Sequence, residues 1–439
     1  MEVPDGHYPL STVRYPLSTV HHPLSSFFLL PTKRKIIIDP VCGFISLPMG
    51  LLYDLVRHPV MQRLTRIRQL GMSPMVYPGA QHTRFQHSLG AYHLATQALQ
   101  HLMMKGNVVL ESEEEAVEAA VLLHDVGHGP LSHVLEGVLV DGVSHEDIGV
   151  MLMERLNEEL SGRLSLAIRV FKDEYPRHFL HQLISGQLDV DRLDYLRRDS
   201  FYTGVREGNI GSERIIEMLD VNDDRIVLEA KGLYTIENFL VARRLMYGQV
   251  YLHKTSVACE RMLVNAIRRA RDLMSRGVEV PASPALKFFL CRYVDRTRFL
   301  ADAACLDHFV ALDDSDVWTA LKAWCTHDDR VLSLLSRGVV CRQLFKVEVT
   351  NEPPTGEHVD EIMDMIARQT GLNIEDAAYF VSLVDVENKM YDPRSENIEV
   401  IHKDGRTTDV AMASDLLSSS LSPHRMKKYY LCRLRAEGE

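Results

Sequence analysis

No apolar run in this 439-residue chain approaches the roughly 20 residues that span a bilayer. No basic start, apolar middle and small-residue exit marks a secretory signal, so a cytoplasmic protein is expected. The seven cysteines (Cys42, Cys259, Cys291, Cys305, Cys325, Cys341 and Cys432) form no C-x-x-C pair. That odd, unpaired set suits a reducing compartment better than a disulfide scaffold or a thiolate zinc site. There is no basic excess either. The net charge is −11, which excludes the global positive field of a stable nucleic-acid binder but leaves room for a local cationic pocket.

The first thirty residues repeat with a period of seven, His-Tyr-Pro-Leu-Ser-Thr-Val from His7, a second copy from Arg14 and a decayed one from His21. A proline in every copy rules out a coiled coil, and residues 1–34 read as a disordered tail, with a polyproline docking segment as the alternative. Lys35–Leu47 (KIIIDPVCGFISL) alternates and is rich in β-branched residues, which predicts a hairpin. Helical periods run from Pro48 to about Ser336. Ala91, Leu94, Ala98 and Leu102 mark one buried stripe, and Ala116, Ala119, Ala120 and Leu123 another. After about Arg342 the pattern becomes β-α-β-β-β, with strands at 344–350, 379–385, 397–402 and 428–434 and a helix at 358–370. The expected fold is mainly α, a helical domain over 35–341 with a small α+β module over 342–439.

The densest chemistry lies in Leu122–His133 (LLHDVGHGPLSH). Imidazoles and a carboxylate at the end of an apolar helix cost several kcal/mol to bury unless paired or metal-bound. Gly127, Gly129 and Pro130 break that helix and predict a second one starting near His128 and His133, with Glu136 one turn on. A metal needs further ligands, and HTRFQHSLG (Thr83 is its threonine) and DVDRLDYLRRD (from Asp189) each supply one more segment. Two histidines with two carboxylates make a borderline nitrogen/oxygen set suited to Mn, Fe, Ni, Co or Zn and tolerant of Mg.

The order His87…His124-Asp125…Asp191, in those three strings, resembles the HD-domain phosphohydrolase superfamily. The strings are similar to its deoxynucleoside triphosphate triphosphohydrolase branch, which includes bacterial dGTPases, from about Ile37 to about Met262. The resemblance implies that His87, His124, Asp125 and Asp191 bind a divalent metal. It also implies that His133 is the general acid toward the leaving 5′ oxygen, that Glu136 orients it, and that His128 and His145 lie near the α-phosphate. Arg84, Arg192 and Arg243 match positions that hold the triphosphate; arginine's rigid fork of donors suits that task. With Arg243 read as opening a later helix, Tyr247, Tyr251 and Lys254 share its face. Gln69, Leu70, Tyr195, Asp199 and Tyr251 match positions around the deoxyribose.

One departure concerns activation. Where guanine-activated members carry an acid and a downstream arginine, this chain has Arg57 and Thr65, so a nucleotide activator, if there is one, is not expected to be guanine at that pocket. The resemblance implies a dNTP substrate and a homo-oligomer. Two alternatives stay open: another HD activity, such as a 5′-nucleotidase or phosphodiesterase, and a non-catalytic nucleotide sensor.

Overall fold

The hairpin expected at Lys35–Leu47 is present as β1 (Arg34–Asp39) and β2 (Gly43–Pro48), antiparallel, with Ile37 opposite Ile45 and Asp39 opposite Gly43. Its turn is closed by Asp39, whose Oδ1 accepts the Val41 and Cys42 amides at 2.9 and 2.8 Å. Gly43 takes a left-handed φ of 75° at the point where the chain re-enters the sheet. The computed structural model describes residues 33–387, 397–420 and 427–436. The heptad-length repeat lies outside them.

The helix Arg84–Met104 is the spine. Its predicted stripe, Ala91, Leu94, Ala98 and Leu102, is buried throughout. Thr83 and Gln86 form a reciprocal capping box that fixes where this helix starts. It packs against the helices Glu111–Leu123 and Val190–Thr203. One apolar core runs from Ile45 in the hairpin to Cys432 near the C-terminus, and the described residues from Arg34 onward belong to one compact unit.

Three expectations are corrected here. The helical stretch is interrupted by a hairpin, β3 (Leu219–Asn222) and β4 (Arg225–Glu229), turning through Asp223 and Asp224 at φ 48° and 60°. Two short polar residues tolerate that left-handed turn, and the flanking Ile226, Val227 and Leu228 favour a strand. Arg243 does not open a helix: it lies in the last turn of Leu233–Met246. A π-turn over Tyr247–Tyr251 follows, and His253 then caps a new helix, Lys254–Ser275, by accepting the Thr255 amide at Nδ1. Lys254 is therefore on a different helix from Arg243.

The C-terminal strands are divided between two sheets. β7 (Glu399–Ile401) runs parallel to β4 and antiparallel to β8 (Thr407–Asp409), giving the order β3-β4-β7-β8. β9 (Lys427–Arg433) is the centre of an antiparallel sheet between β5 (Lys346–Thr350) and β6 (Val381–Glu387). The helix expected near 358 spans Gly356–Thr370.

Candidate active site

Where the Arg84, Glu111 and Val190 helices meet, a cleft of about 580 Å³ opens, a size that accommodates a small molecule. His124, Asp125 and Asp191 line it, and His87 lies wholly buried beneath. His124 follows the last residue of the Glu111 helix, and Asp191 is in the first turn of the Val190 helix, behind the capping carboxylate of Asp189.

The two imidazoles are oriented from behind. His87 Nδ1 lies 2.8 Å from Asp194 Oδ2, and His124 Nδ1 donates to the Val121 carbonyl at 2.6 Å. With Nδ1 so engaged, it is Nε2 of each ring that is left to meet a cation. They are 3.2 Å apart. Metal–nitrogen bonds of about 2.0–2.1 Å would put two such nitrogens about 2.9 Å apart at a right angle and about 3.3 Å apart at the tetrahedral angle. The observed gap falls between those limits, so the pair fits one cation. Asp191 Oδ1 is 2.9 Å from His87 Nε2 and 3.6 Å from His124 Nε2. The ligand atoms of His87, His124 and Asp191 converge within 4.8 Å of one another, and Asp125 flanks them, with Oδ1 3.4 Å from His124 Nε2 and Oδ2 3.7 Å from His87 Nε2. Electrostatics point the same way. Burial alone would lower the His87 pKa, but Asp191, Asp194 and Asp125 drive it up to about 10, so the pocket favours positive charge.

Arg84 is almost fully buried. Its Nη1 donates to Asp125 Oδ2 at 2.6 Å and its Nε to Ser132 Oγ at 3.0 Å. It therefore tethers Asp125 while also lining the cleft. A second buried arginine, Arg63, fixes the same loop from outside, donating to the carbonyls of Leu312 and Val126 at 2.8 and 3.3 Å. Sequence reasoning had no signal for that contact.

The helix expected after Pro130 is a single 3₁₀ turn, Ser132–Val134. Leu131 and Ser132 both take positive φ, 56° and 57°, an uncommon pair that the surroundings over-determine. The Leu131 amide donates to Asp314 Oδ1 at 2.7 Å, and Ser132 Oγ donates to the Arg68 carbonyl at 2.7 Å. This turn delivers His133 to the cleft with its side chain two-thirds exposed. Glu136 bridges His133 Nδ1 and His145 Nδ1, each at 2.8 Å. Burial opposes ionisation of Glu136, but these two imidazoles and the His145 amide hold its pKa far below the usual carboxylate range. His128 stacks on His145 with centroids 3.9 Å apart. Burial, with Arg84 nearby, lowers its pKa well below the ordinary value and keeps it neutral.

Asp199, another lining residue, is 1% exposed and is held twice, by His82 Nε2 at its Oδ1 and by the Tyr251 hydroxyl at its Oδ2, both 2.7 Å. Gln69, Leu70 and Tyr195 line the same cleft, and the Gln69 Oε1 is buried without a protein partner. His82 was not singled out in the sequence; it stands two residues before Arg84 and stacks on Tyr202. Arg192 also lines the cleft: its Nη1 is paired with Asp189 and the Gly186 carbonyl, and its Nε is buried without a protein partner. Arg243 donates from Nη1 to Gln187 and lies 6.0 Å from the centroid of Tyr247, a cleft residue. Its Nε is likewise unpartnered. Lys254 is exposed and does not line the cleft; Arg57 and Thr65 are also outside it.

Known proteins resemble this chain over the segment that carries most of the cleft residues. The HD domain profile matches residues 84–199, from Arg84 to Asp199, and the HD associated region matches 210–279. A crystal structure of a phosphohydrolase from Bacteroides thetaiotaomicron superposes with a TM-score of 0.90 at 61% identity, covering 92% of this chain and all of that one. The Bacillus subtilis protein YwfO is 30% identical over 93% of this chain and 94% of its own length. The human deoxynucleoside triphosphate triphosphohydrolase SAMHD1 is 28% identical over 60% of this chain, and the match spans 48% of its length.

Proposed function

The chain belongs to the HD-domain phosphohydrolase family, and from that premise we propose that it hydrolyses deoxynucleoside triphosphates to deoxynucleoside and inorganic triphosphate. The observation that carries this reading is the set of chemistries lining one cleft: a buried, doubly anchored carboxylate at Asp199, the His124, Asp125 and Asp191 side chains above His87, and the cations Arg84 and Arg192, the latter with an unpartnered Nε. A sugar hydroxyl, an α-phosphate and a polyphosphate tail need those three chemistries within one site. The likeness to named deoxynucleoside triphosphate triphosphohydrolases supports the choice of substrate.

His87, His124, Asp125 and Asp191 would hold a divalent cation, which supplies Lewis-acid polarisation of the α-phosphate and acidifies the attacking water. The remaining chemistry belongs to the chain's own side chains. Arg84, Arg192 and Arg243 hold the triphosphate in line for attack, so that the leaving 5′ oxygen faces the 3₁₀ turn. His133, held by Glu136 at 2.8 Å, gives that oxygen its proton. His128, kept neutral, donates or accepts a hydrogen bond at the α-phosphate without adding charge, and His145 stacks behind it. Asp199 and Gln69 bind the 3′-hydroxyl. Leu70 and Tyr251 close the space where a 2′-hydroxyl would sit, which selects deoxyribose.

The test is to supply each dNTP and each NTP with Mn or Mg and identify the products by chromatography. Deoxynucleoside with intact triphosphate, abolished in the His124→Ala/Asp125→Ala variant, is the expected outcome. Stepwise phosphate release, or release of monophosphate, would move the assignment to a nucleotidase or diesterase; full activity in the double variant would sink the site.

A further inference from the structure

We infer that the N-terminal hairpin is a working part of the metal centre, with Asp39 as a positioning residue that acts on His87 through Arg198 and Asp194. This rests on the reading of His87 as a metal ligand. The chain of contacts is continuous and dry. Asp194 Oδ2 is 2.8 Å from His87 Nδ1 and accepts from Arg198 Nε at 2.7 Å; its Oδ1 accepts from Arg198 Nη2 at 3.0 Å. The far side of the same guanidinium donates to Asp39, Nη1 to Oδ2 at 2.8 Å and Nη2 to Oδ1 at 3.2 Å. Arg198 and Asp194 are at most 1% exposed and Asp39 is 5% exposed.

One guanidinium is thus clamped between two carboxylates, each meeting it with both oxygens. That arrangement fixes the plane of Asp194 as well as its position. Asp194 in turn fixes the ring orientation and tautomer of His87, which decides whether the Nε2 lone pair faces the cleft. Asp39 is itself immobilised, since its Oδ1 closes the hairpin turn through two amides. Arg197 Nη2 adds a further grip on the Val41 carbonyl at 2.6 Å. The space around the clamp is closed as well. A Cβ at Gly90 would meet Asp194 Oδ1 at 2.0 Å and Arg198 Nη2 at 2.2 Å, so the pair is pressed onto bare backbone of the Arg84 helix. Without the Asp39 carboxylate, Arg198 Nη1 would lose its partner in a buried site, and Nη2 would keep only Asp194 and the Cys42 sulfur. The guanidinium would then relieve Nη1 by turning away from Asp194.

Asp39→Asn keeps the size of the side chain and removes the charge; Arg198→Lys keeps the charge and removes the fork. Both are compared with wild type for Mn affinity by competition against a chelating dye, for melting temperature, and for turnover over a Mn titration. The expected result is a folded Asp39→Asn protein that binds Mn about 10- to 100-fold more weakly, with turnover recovering at saturating Mn. If Asp39→Asn fails to fold, Arg198→Lys carries the same expectation. Wild-type Mn affinity in a folded variant would overturn the inference, because a purely structural hairpin lowers melting temperature without touching that constant. The premise is checked separately: if His124→Ala/Asp125→Ala binds Mn as wild type does, the metal reading itself falls, and the inference with it.

Discussion

Gly127 sits between Asp125 and His128, against the first turn of the helix His145–Glu159. A Cβ added there would lie 2.0 Å from the His145 carbonyl oxygen, 2.4 Å from the Gly149 nitrogen and 2.9 Å from the Gly149 Cα. All three are backbone atoms, so no side chain can swing aside. Restoring an ordinary contact of 3.4 Å requires about 1.4 Å of added separation between the loop and that helix. Those two segments carry Asp125 and His128 on one side and His145 on the other. Forced overpacking of this kind costs about 1–3 kcal/mol, and a displacement near 1 Å among reacting groups costs on the order of 100-fold in rate. Gly127→Ala is therefore expected to lower the melting temperature by a few degrees and turnover by about 100-fold. Gly356→Ala is the control, because a Cβ there meets nothing within 4 Å. Differential scanning fluorimetry and a steady-state assay read both. Wild-type stability and turnover in Gly127→Ala would refute the reasoning.

Three further outcomes follow from particular contacts. Tyr251→Phe removes the hydroxyl bonded to Asp199; a bond to a charged group is worth about 1.5–3 kcal/mol, so kcat/KM for dNTPs should fall roughly 10- to 100-fold, and an unchanged value would remove Tyr251 from the substrate site. Glu118, 6% exposed, has its carboxyl pushed by burial from 4.5 up to about 7, against the lowering effect of the Thr96 hydroxyl. The fold therefore binds this proton more tightly than the unfolded chain does, so the destabilisation is absent below pH 4.5, grows as pH rises and is complete above about 7, reaching at most about 3 kcal/mol. Glu118→Gln should accordingly raise the melting temperature at pH 8 and leave it unchanged near pH 4.5; equal shifts at both would contradict the assignment. Chelation should abolish turnover and lower the melting temperature, since the carboxylates around His87 and His124 lose the cation that balances them; Mn should restore both, and a chelator-insensitive melt would count against the four proposed ligands.

The four proposed ligands are legible in the sequence as candidates because they sit in three short strings whose composition makes little sense in a plain core. HD-type chemistry needs two contiguous residues, His124 and Asp125, and one residue at each of two helix starts, and spacing within a string survives folding. The supports were harder to see. Asp39 and Arg198 are 159 residues apart and meet only in the folded chain, and a lone aspartate in a hairpin turn reads as a turn residue. Asp194 and Arg198 carried more signal, at the helical spacing of four in the same string as Asp191. The β3–β4 hairpin was hidden by its neighbours, short strands between long helices, although Asn222, Asp223 and Asp224 shortly before the apolar triplet Ile226, Val227 and Leu228 mark the turn. Lys254 was misplaced because periodicity assumes an unbroken helix, and a π-turn followed by a new cap breaks the register.

The central claim is attack of water on the α-phosphorus with release of intact triphosphate, and hydrolysis in ¹⁸O-labelled water tests it most directly. The account predicts ¹⁸O in the inorganic triphosphate and none in the deoxynucleoside, by mass spectrometry of both products. Label in the nucleoside 5′ oxygen, or label carried by monophosphate or pyrophosphate, would contradict it.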